Sequence, residues 1–378
     1  MPDCSVILEE MQRIGIVGMA FVATMCGQSN AMLRMTEIQI IGSHNSYHAG
    51  LAPSEMEHLR RVNPKAAESL DYRHPELAEQ LEAGVRQLEI DVYEDRKGGK
   101  YAQPKMLAAV AKAGLPADPP FDPKGLMKKP GFKVVHVKDV DFRSHCQPFK
   151  DCLKQIRTWS KAHPRHLPIY VLVENKDPNP EPGPPLVQPG KLSTESFDLL
   201  DSEIRSVFRA DDLITPDDVR AGKKSLEEAV LTKGWPMLER ARGKVVFLLD
   251  QERVEKLYKV GHRNLAGRAM FTNSEPGTPE AAFVKVNDAE ADMDRVAALV
   301  RRGYLVRTMT DGGSAAVKAN DTRRRDAAMQ SGAQLLSTDY PFWWKAKSGY
   351  NVQFEMGIAR CNPAIPVATC SLEALREQ

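Results

Sequence analysis

The 378-residue sequence lacks a charge excess of either sign: 52 Lys and Arg stand against 50 Asp and Glu, a formal net charge of +2. Without a long basic stripe, nothing supports a nucleic-acid partner. The densest cluster, Arg323-Arg324-Arg325, lies in a helix-period stretch and reads as a solvated face. Internal repeats are absent. Long hydrophobic runs are absent too, and the 13 residues from Ile14 to Cys26 are too few to cross a bilayer. No transmembrane helix is expected. Gly15-Ile16-Val17-Gly18 has neither the strand–helix unit nor the third glycine of a dinucleotide-binding turn.

The short apolar run instead suits the core of a signal peptide. Asp3, Glu9 and Glu10 are wrong for a basic leader, so translation is expected to begin at Met11, with cleavage at Ser29-Asn30-Ala31. Met25 before Cys26 argues against a lipoprotein anchor. Residues 1–31 are thus read as a signal peptide and 32–378 as one catalytic domain, secreted or periplasmic. Cysteine is sparse. Cys146 with Cys152 and Cys361 with Cys370 form two local pairs suited to disulfide-closed loops in an oxidising compartment. Four buried thiols are the alternative. Neither pair has the partners of a zinc site.

Strand and helix signals alternate through the rest. Strand-like runs are 37–42, 85–92, 133–137, 169–173, 244–249, 283–286, 304–309 and 335–338, with 270–272 as a competing short strand. Helix-period stretches are clearest at 148–162, 194–209, 291–302 and 322–331. Eight strands with intervening helices predict an α/β fold, a distorted (β/α)8 TIM barrel. Residues 98–131 and the proline-rich 178–191 interrupt the pattern, either as substrate lids or as plain surface loops.

Four polar signatures close strand-like runs: His44-Asn45-Ser46-Tyr47, Glu89-Ile90-Asp91, His136 and Glu174-Asn175-Lys176. A parallel barrel gathers such strand ends on one face. Glu89 and Asp91 are two apart and project to one side of their strand. An ionised pair aimed inward is costly unless a cation neutralises it. Glu89, Asp91 and Glu174, with the Asn45 amide oxygen, form an all-oxygen set that selects Ca2+ or Mg2+ over zinc. A salt bridge to a nearby lysine is the plain alternative for any one carboxylate. His44 and His136 are the candidate acid–base groups beside them.

The chain resembles the calcium-dependent phosphatidylinositol-specific phospholipases C, in particular their secreted bacterial single-domain branch. Ser43-His44-Asn45-Ser46-Tyr47, Glu89-Ile90-Asp91, His136 and Val173-Glu174-Asn175 are similar to motifs of the eukaryotic catalytic core. Gln39 to His48, the helix before His163-Pro164, and Ser337-Thr338-Asp339-Tyr340-Pro341 are similar to the bacterial branch. The resemblance implies calcium held by Asn45, Glu89, Asp91 and Glu174. It also implies attack of the inositol 2-hydroxyl on phosphorus, giving diacylglycerol and a cyclic inositol phosphate. His44 would stabilise the transition-state charge, and His136 would protonate the departing oxygen or support the same charge. No match is found for the lysines that grip ring phosphates, so a non-phosphorylated headgroup is expected. Lys176, Lys285 and Arg307 could hold the phosphodiester, or pair with acidic neighbours. Trp343, in Phe342-Trp343-Trp344, could stack on a sugar-like ring or dip into a lipid surface; a tucked apolar loop is the plain reading. A monomer with transient membrane contact is expected. The rivals are a glycerophosphodiester phosphodiesterase and a non-catalytic barrel that binds inositol or sugar headgroups.

Overall fold

The computed structural model describes residues 33–176, 189–342 and 344–377. The expected signal peptide, most of the proline-rich loop and Trp343 lie outside them. Eight parallel strands form the ring: β1 (Ile38–Ser43), β2 (Gln87–Tyr93), β4 (Ile169–Asn175), β5 (Val245–Leu249), β6 (Met270–Thr272), β7 (Phe283–Asp288), β8 (Leu305–Met309) and β9 (Leu335–Thr338). Two further strands, β3 (Lys133–Val134) and β10 (Ala359–Cys361), lie off that path. The order is β6-β5-β4-β2-β1-β9-β8-β7, and a parallel bridge between Asn273 and Phe283 links the two ends. The TIM barrel expected from the alternating pattern is therefore present.

Two strand assignments change. The run at 133–137 is no barrel strand: β3 pairs antiparallel with β2, Val92 opposite Val134, and stands outside the ring. Its place is taken by β6, at 270–272. An apolar run of three to five residues carries no signal for parallel or antiparallel pairing, so the sequence could not separate the two.

The ring is distorted between β1 and β2. Only Gly42 with Gln87 and Ser43 with Leu88 are in register there, against six pairs between β2 and β4. Below that point β1 pairs with antiparallel β10, Ile38 opposite Cys361. Gly42 is required at the closure, because a Cβ there would meet the Gln87 side chain at 2.1–2.7 Å.

The helices pack by apolar stripes. Phe149–Ala162 buries Phe149, Cys152, Leu153, Ile156 and Trp159, the i, i+3, i+4, i+7 spacing of a single face. A second hydrophobic cluster lies above β2, where Met56 and Leu59 meet Tyr93, Tyr101, Met106, Met127 and Phe142. The 98–131 insertion is thus anchored by its own core. Both expected disulfides are formed, Cys146–Cys152 and Cys361–Cys370.

Candidate active site

The turn after β1 is stitched directly to β2. The His44 amide donates to Thr338 O and the Ser46 amide to Glu89 O, both at 2.9 Å. Ser46 Oγ accepts from the Glu89 amide at 2.8 Å and contacts Ser43 Oγ at 2.6 Å. The two serines of the motif therefore set the register of Glu89. Asn45 sits in the left-handed region (φ 46°), which asparagine tolerates better than most residues. Its amide nitrogen donates to Tyr72 OH at 2.8 Å, leaving the amide oxygen for other partners.

Around that turn lies the first histidine–carboxylate pair. His44 Nδ1 is 2.9 Å from Asp339 Oδ1, and Nε2 is 3.6 Å from Glu89 Oε1. Desolvation alone would lower the His44 pKa, but Asp339 and Glu89 outweigh it and raise it to about 9. The imidazole is therefore cationic at neutral pH. Asp339 is fixed from behind: its amide donates to Asp311 Oδ2, while Asp311 Oδ1 accepts from Thr338 and Thr310 hydroxyls. Burial, then the Asp339 charge, pushes the Asp311 pKa up to about 6.

Three carboxylates meet beside His44. Asp91 and Glu174 are register partners on β2 and β4, with Glu89 two residues before Asp91. One oxygen from each lies within 4.8 Å of the other two. Glu89 Oε2 takes Arg307 Nη2 at 2.6 Å from non-adjacent β8, which places the cluster inside the barrel. Lys176 Nζ lies 3.0 Å from Asp91 and 2.8 Å from Glu174. Asp91 is fully buried with Lys176 as its ion-pair partner, and desolvation pushes the Asp91 pKa up to about 8. A buried carboxylate flanked by two more, with one lysine shared between them, fits a hard divalent cation.

The second histidine is held differently. His136 lies just past β3, immediately before the 137–141 hairpin turn rather than at a barrel-strand end. Its Nδ1 meets Asp141 Oδ2 at 2.8 Å, and the same carboxylate takes His48 Nε2 at 2.7 Å. The His48 ring packs against Tyr72, centroids 4.3 Å apart, and against His136 at 5.8 Å. Through His48, Tyr72 and Asn45 the two histidine corners join one pocket.

Among the remaining candidates, Lys285 Nζ pairs with Asp250 at 2.6 Å. Four residues that shape the site were given no role from the sequence: Asp339, Asp141, His48 and Tyr72. Asp339 ends a strand like the expected ligands, and that position was its available signal. Asp141 and His48 carry no spacing cue, because a hairpin and a turn bring them together.

The sequence matches the profile described as phosphoinositide phospholipase C, Ca2+-dependent, over residues 33–363. The chain belongs to this calcium-dependent phospholipase C family. Family members are phosphodiesterases of phosphoinositides, and the acidic cluster accords with their calcium dependence. A calcium-dependent phosphoinositol-specific phospholipase C from Pseudomonas sp. superposes with a TM-score of 0.55 at 14% identity, covering 88% of this chain and 97% of that one. A phosphatidylinositol-specific phospholipase C from Streptomyces antibioticus superposes with a TM-score of 0.50 at 20% identity, covering 81% and 95%. These likenesses bear on the fold. No curated protein shows a significant sequence match.

Proposed function

We propose that this phospholipase cleaves phosphatidylinositol with a non-phosphorylated headgroup, using one divalent cation held by Asn45, Glu89, Asp91 and Glu174. The convergence of the Glu89, Asp91 and Glu174 oxygens within 4.8 Å, with His44 Nε2 at 3.6 Å from Glu89, carries this reading. When bound, the cation supplies Lewis acidity that lowers the pKa of the inositol 2-hydroxyl and offsets phosphate charge. A carboxylate of the Asp91–Glu174 pair accepts the hydroxyl proton. The 2-oxygen–phosphorus bond forms as the phosphorus–glycerol oxygen bond breaks. His44, kept cationic by Asp339, stabilises the pentacoordinate charge. His136 gives its Nε2 proton to the glycerol oxygen, so diacylglycerol leaves and a cyclic inositol phosphodiester remains.

Four observations support the substrate and setting. A Pseudomonas neighbour was solved as a myo-inositol complex. The candidate cations Lys176, Lys285 and Arg307 are each ion-paired, which leaves none of the three free for ring phosphates. Beside the site, a groove of about 740 Å³ lined by Leu51, Met56, Leu70, Val317, Tyr340 and Trp344 supports transient contact with lipid. Two disulfides support an exported location.

Phosphorus NMR of the protein incubated with phosphatidylinositol and with glycerophosphoinositol, with and without chelator, tests the reading. A cyclic phosphodiester from phosphatidylinositol that disappears on chelation is expected. Turnover of glycerophosphoinositol alone, or chelator-insensitive turnover, would overturn it.

A further inference from the structure

His136 stands behind an unusual support. Asp141 is buried, and its carboxylate carries two histidines at once: His136 Nδ1 at 2.8 Å on Oδ2, and His48 Nε2 at 2.7 and 2.9 Å on the two oxygens. A buried charge of this kind persists only when its neighbours compensate it. Burial raises the Asp141 pKa, but the two histidines hydrogen-bonded to its oxygens outweigh it and hold it below the usual carboxylate range. The backbone reinforces the arrangement, since Val137 and Asp141 exchange amide–carbonyl hydrogen bonds at 2.9 and 2.7 Å. The carboxylate thus stays five residues from His136 across one tight turn.

His48 is buried, and its Nδ1 has no hydrogen-bond partner among the described residues. A bare lone pair is cheaper to bury than an N–H without an acceptor, so the ring is best placed as the neutral Nε2–H tautomer. In that form His48 donates to Asp141 without cancelling its charge. The donor straddles both carboxylate oxygens and fixes the plane of the carboxylate. Its own ring is wedged against Tyr72.

We infer that Asp141 and His48 are positioning residues for His136: His48 locks the Asp141 carboxylate, and Asp141 accepts from His136 Nδ1–H and so directs the Nε2–H at the departing oxygen. The inference rests on the reading of His136 as the general acid given above. Neither residue touches substrate. Their effect passes through the orientation of one imidazole, as outer-shell carboxylates orient metal-bound or catalytic histidines.

Four variants, assayed on phosphatidylinositol and on an aryl inositol phosphodiester whose leaving group needs no proton, test this. Asp141→Asn is expected to lower kcat on the lipid by about 10²–10³-fold with KM within about twofold, because a neutral amide supports the doubly protonated ring less well than a carboxylate. His48→Leu should lose about 10–100-fold, and His48→Gln, whose amide N–H can replace Nε2–H, should recover to within about threefold of wild type. On the aryl substrate all three should lie within about threefold of wild type, as should the His136→Ala control. Nitrogen-15 NMR of the imidazoles should show His136 Nδ1–H strongly hydrogen-bonded in wild type and His48→Gln, and that bond weakened in Asp141→Asn. Wild-type kcat in Asp141→Asn and His48→Leu, with His136→Ala inactive on the lipid, would overturn the positioning role and leave the acid role standing. Full lipid activity in His136→Ala would instead overturn the acid role itself. Should Asp141→Asn fail to fold, the His48 pair decides: His48→Gln as impaired as His48→Leu, with unchanged His136 shifts, would overturn the relay.

Discussion

The two rims of the barrel treat buried charge in opposite ways. At the rim where the strands begin, Arg86 is 2% exposed and fully engaged. It donates to Leu81 O and Val85 O, forks onto Glu377, and lies 4.7 Å from the Trp159 ring centroid. Glu377 also accepts the Leu167 amide, and Arg242 binds Ala374 O. Together with β10 and the Cys361–Cys370 bridge, the C-terminal segment closes that rim. At the rim where the strands end, the Asn175 side-chain amide is buried without a hydrogen bond among the described residues, Asp91 shares Lys176 with Glu174, and Asp311 is crowded by Asp339. The buried charge at one rim is fully paired and serves stability. The other crowds acidic groups together, which is costly unless a cation or substrate completes them.

Substitutions at the two rims should therefore separate activity from stability. The largest effect is expected at Asp91: Asp91→Asn should lower turnover by about 10³-fold while leaving the urea midpoint of the metal-free protein unchanged or higher. A loss of stability as large as the loss of activity would erase the contrast. Glu377→Gln at the opposite rim should show the reverse, costing about 3 kcal/mol in urea unfolding with turnover within about twofold. Lowered turnover in that variant at full folding would break the division.

His166 sharpens the comparison through pH. It is buried beneath the barrel, with Nε2 on Ser160 Oγ and Nδ1 on Leu167 O, and burial lowers its pKa to about 4. An unfolded histidine takes its proton near 6.5, so between pH 6.5 and 4 the unfolded chain binds more protons and stability falls with pH. The loss approaches about 3 kcal/mol at the lower end. Urea melts at pH 7 and pH 5 should show this decline in wild type and a smaller one in His166→Gln. The smallest effect is expected from Cys361→Ser with Cys370→Ser, about 2–3 kcal/mol from a loop this short. Differential scanning calorimetry of that variant should leave the calcium-induced rise in Tm intact.

The sequence made the acidic half of the functional rim legible, because Glu89, Asp91 and Glu174 end long strands whose parity fixes where their side chains point. His44 and Asn45 were legible for the same reason, through a polar turn directly after an apolar run. The supporting groups were hidden. Asp141 reaches His136 only because 133–141 folds as a hairpin outside the ring, and the sequence reads 133–137 as a barrel strand. His48 closes the Gln39–His48 motif, and only tertiary packing sets it on Asp141. The pairing at the opposite rim was equally opaque, since Arg86 and Glu377 are 291 residues apart.

Isothermal titration of calcium into the metal-free wild type, Asp91→Asn and Glu174→Gln bears most directly on the functional rim. One bound ion per chain in wild type is expected, with affinity at least about tenfold weaker in each variant. Equal binding in all three, or none in wild type, would contradict a calcium site built from the ends of β1, β2 and β4.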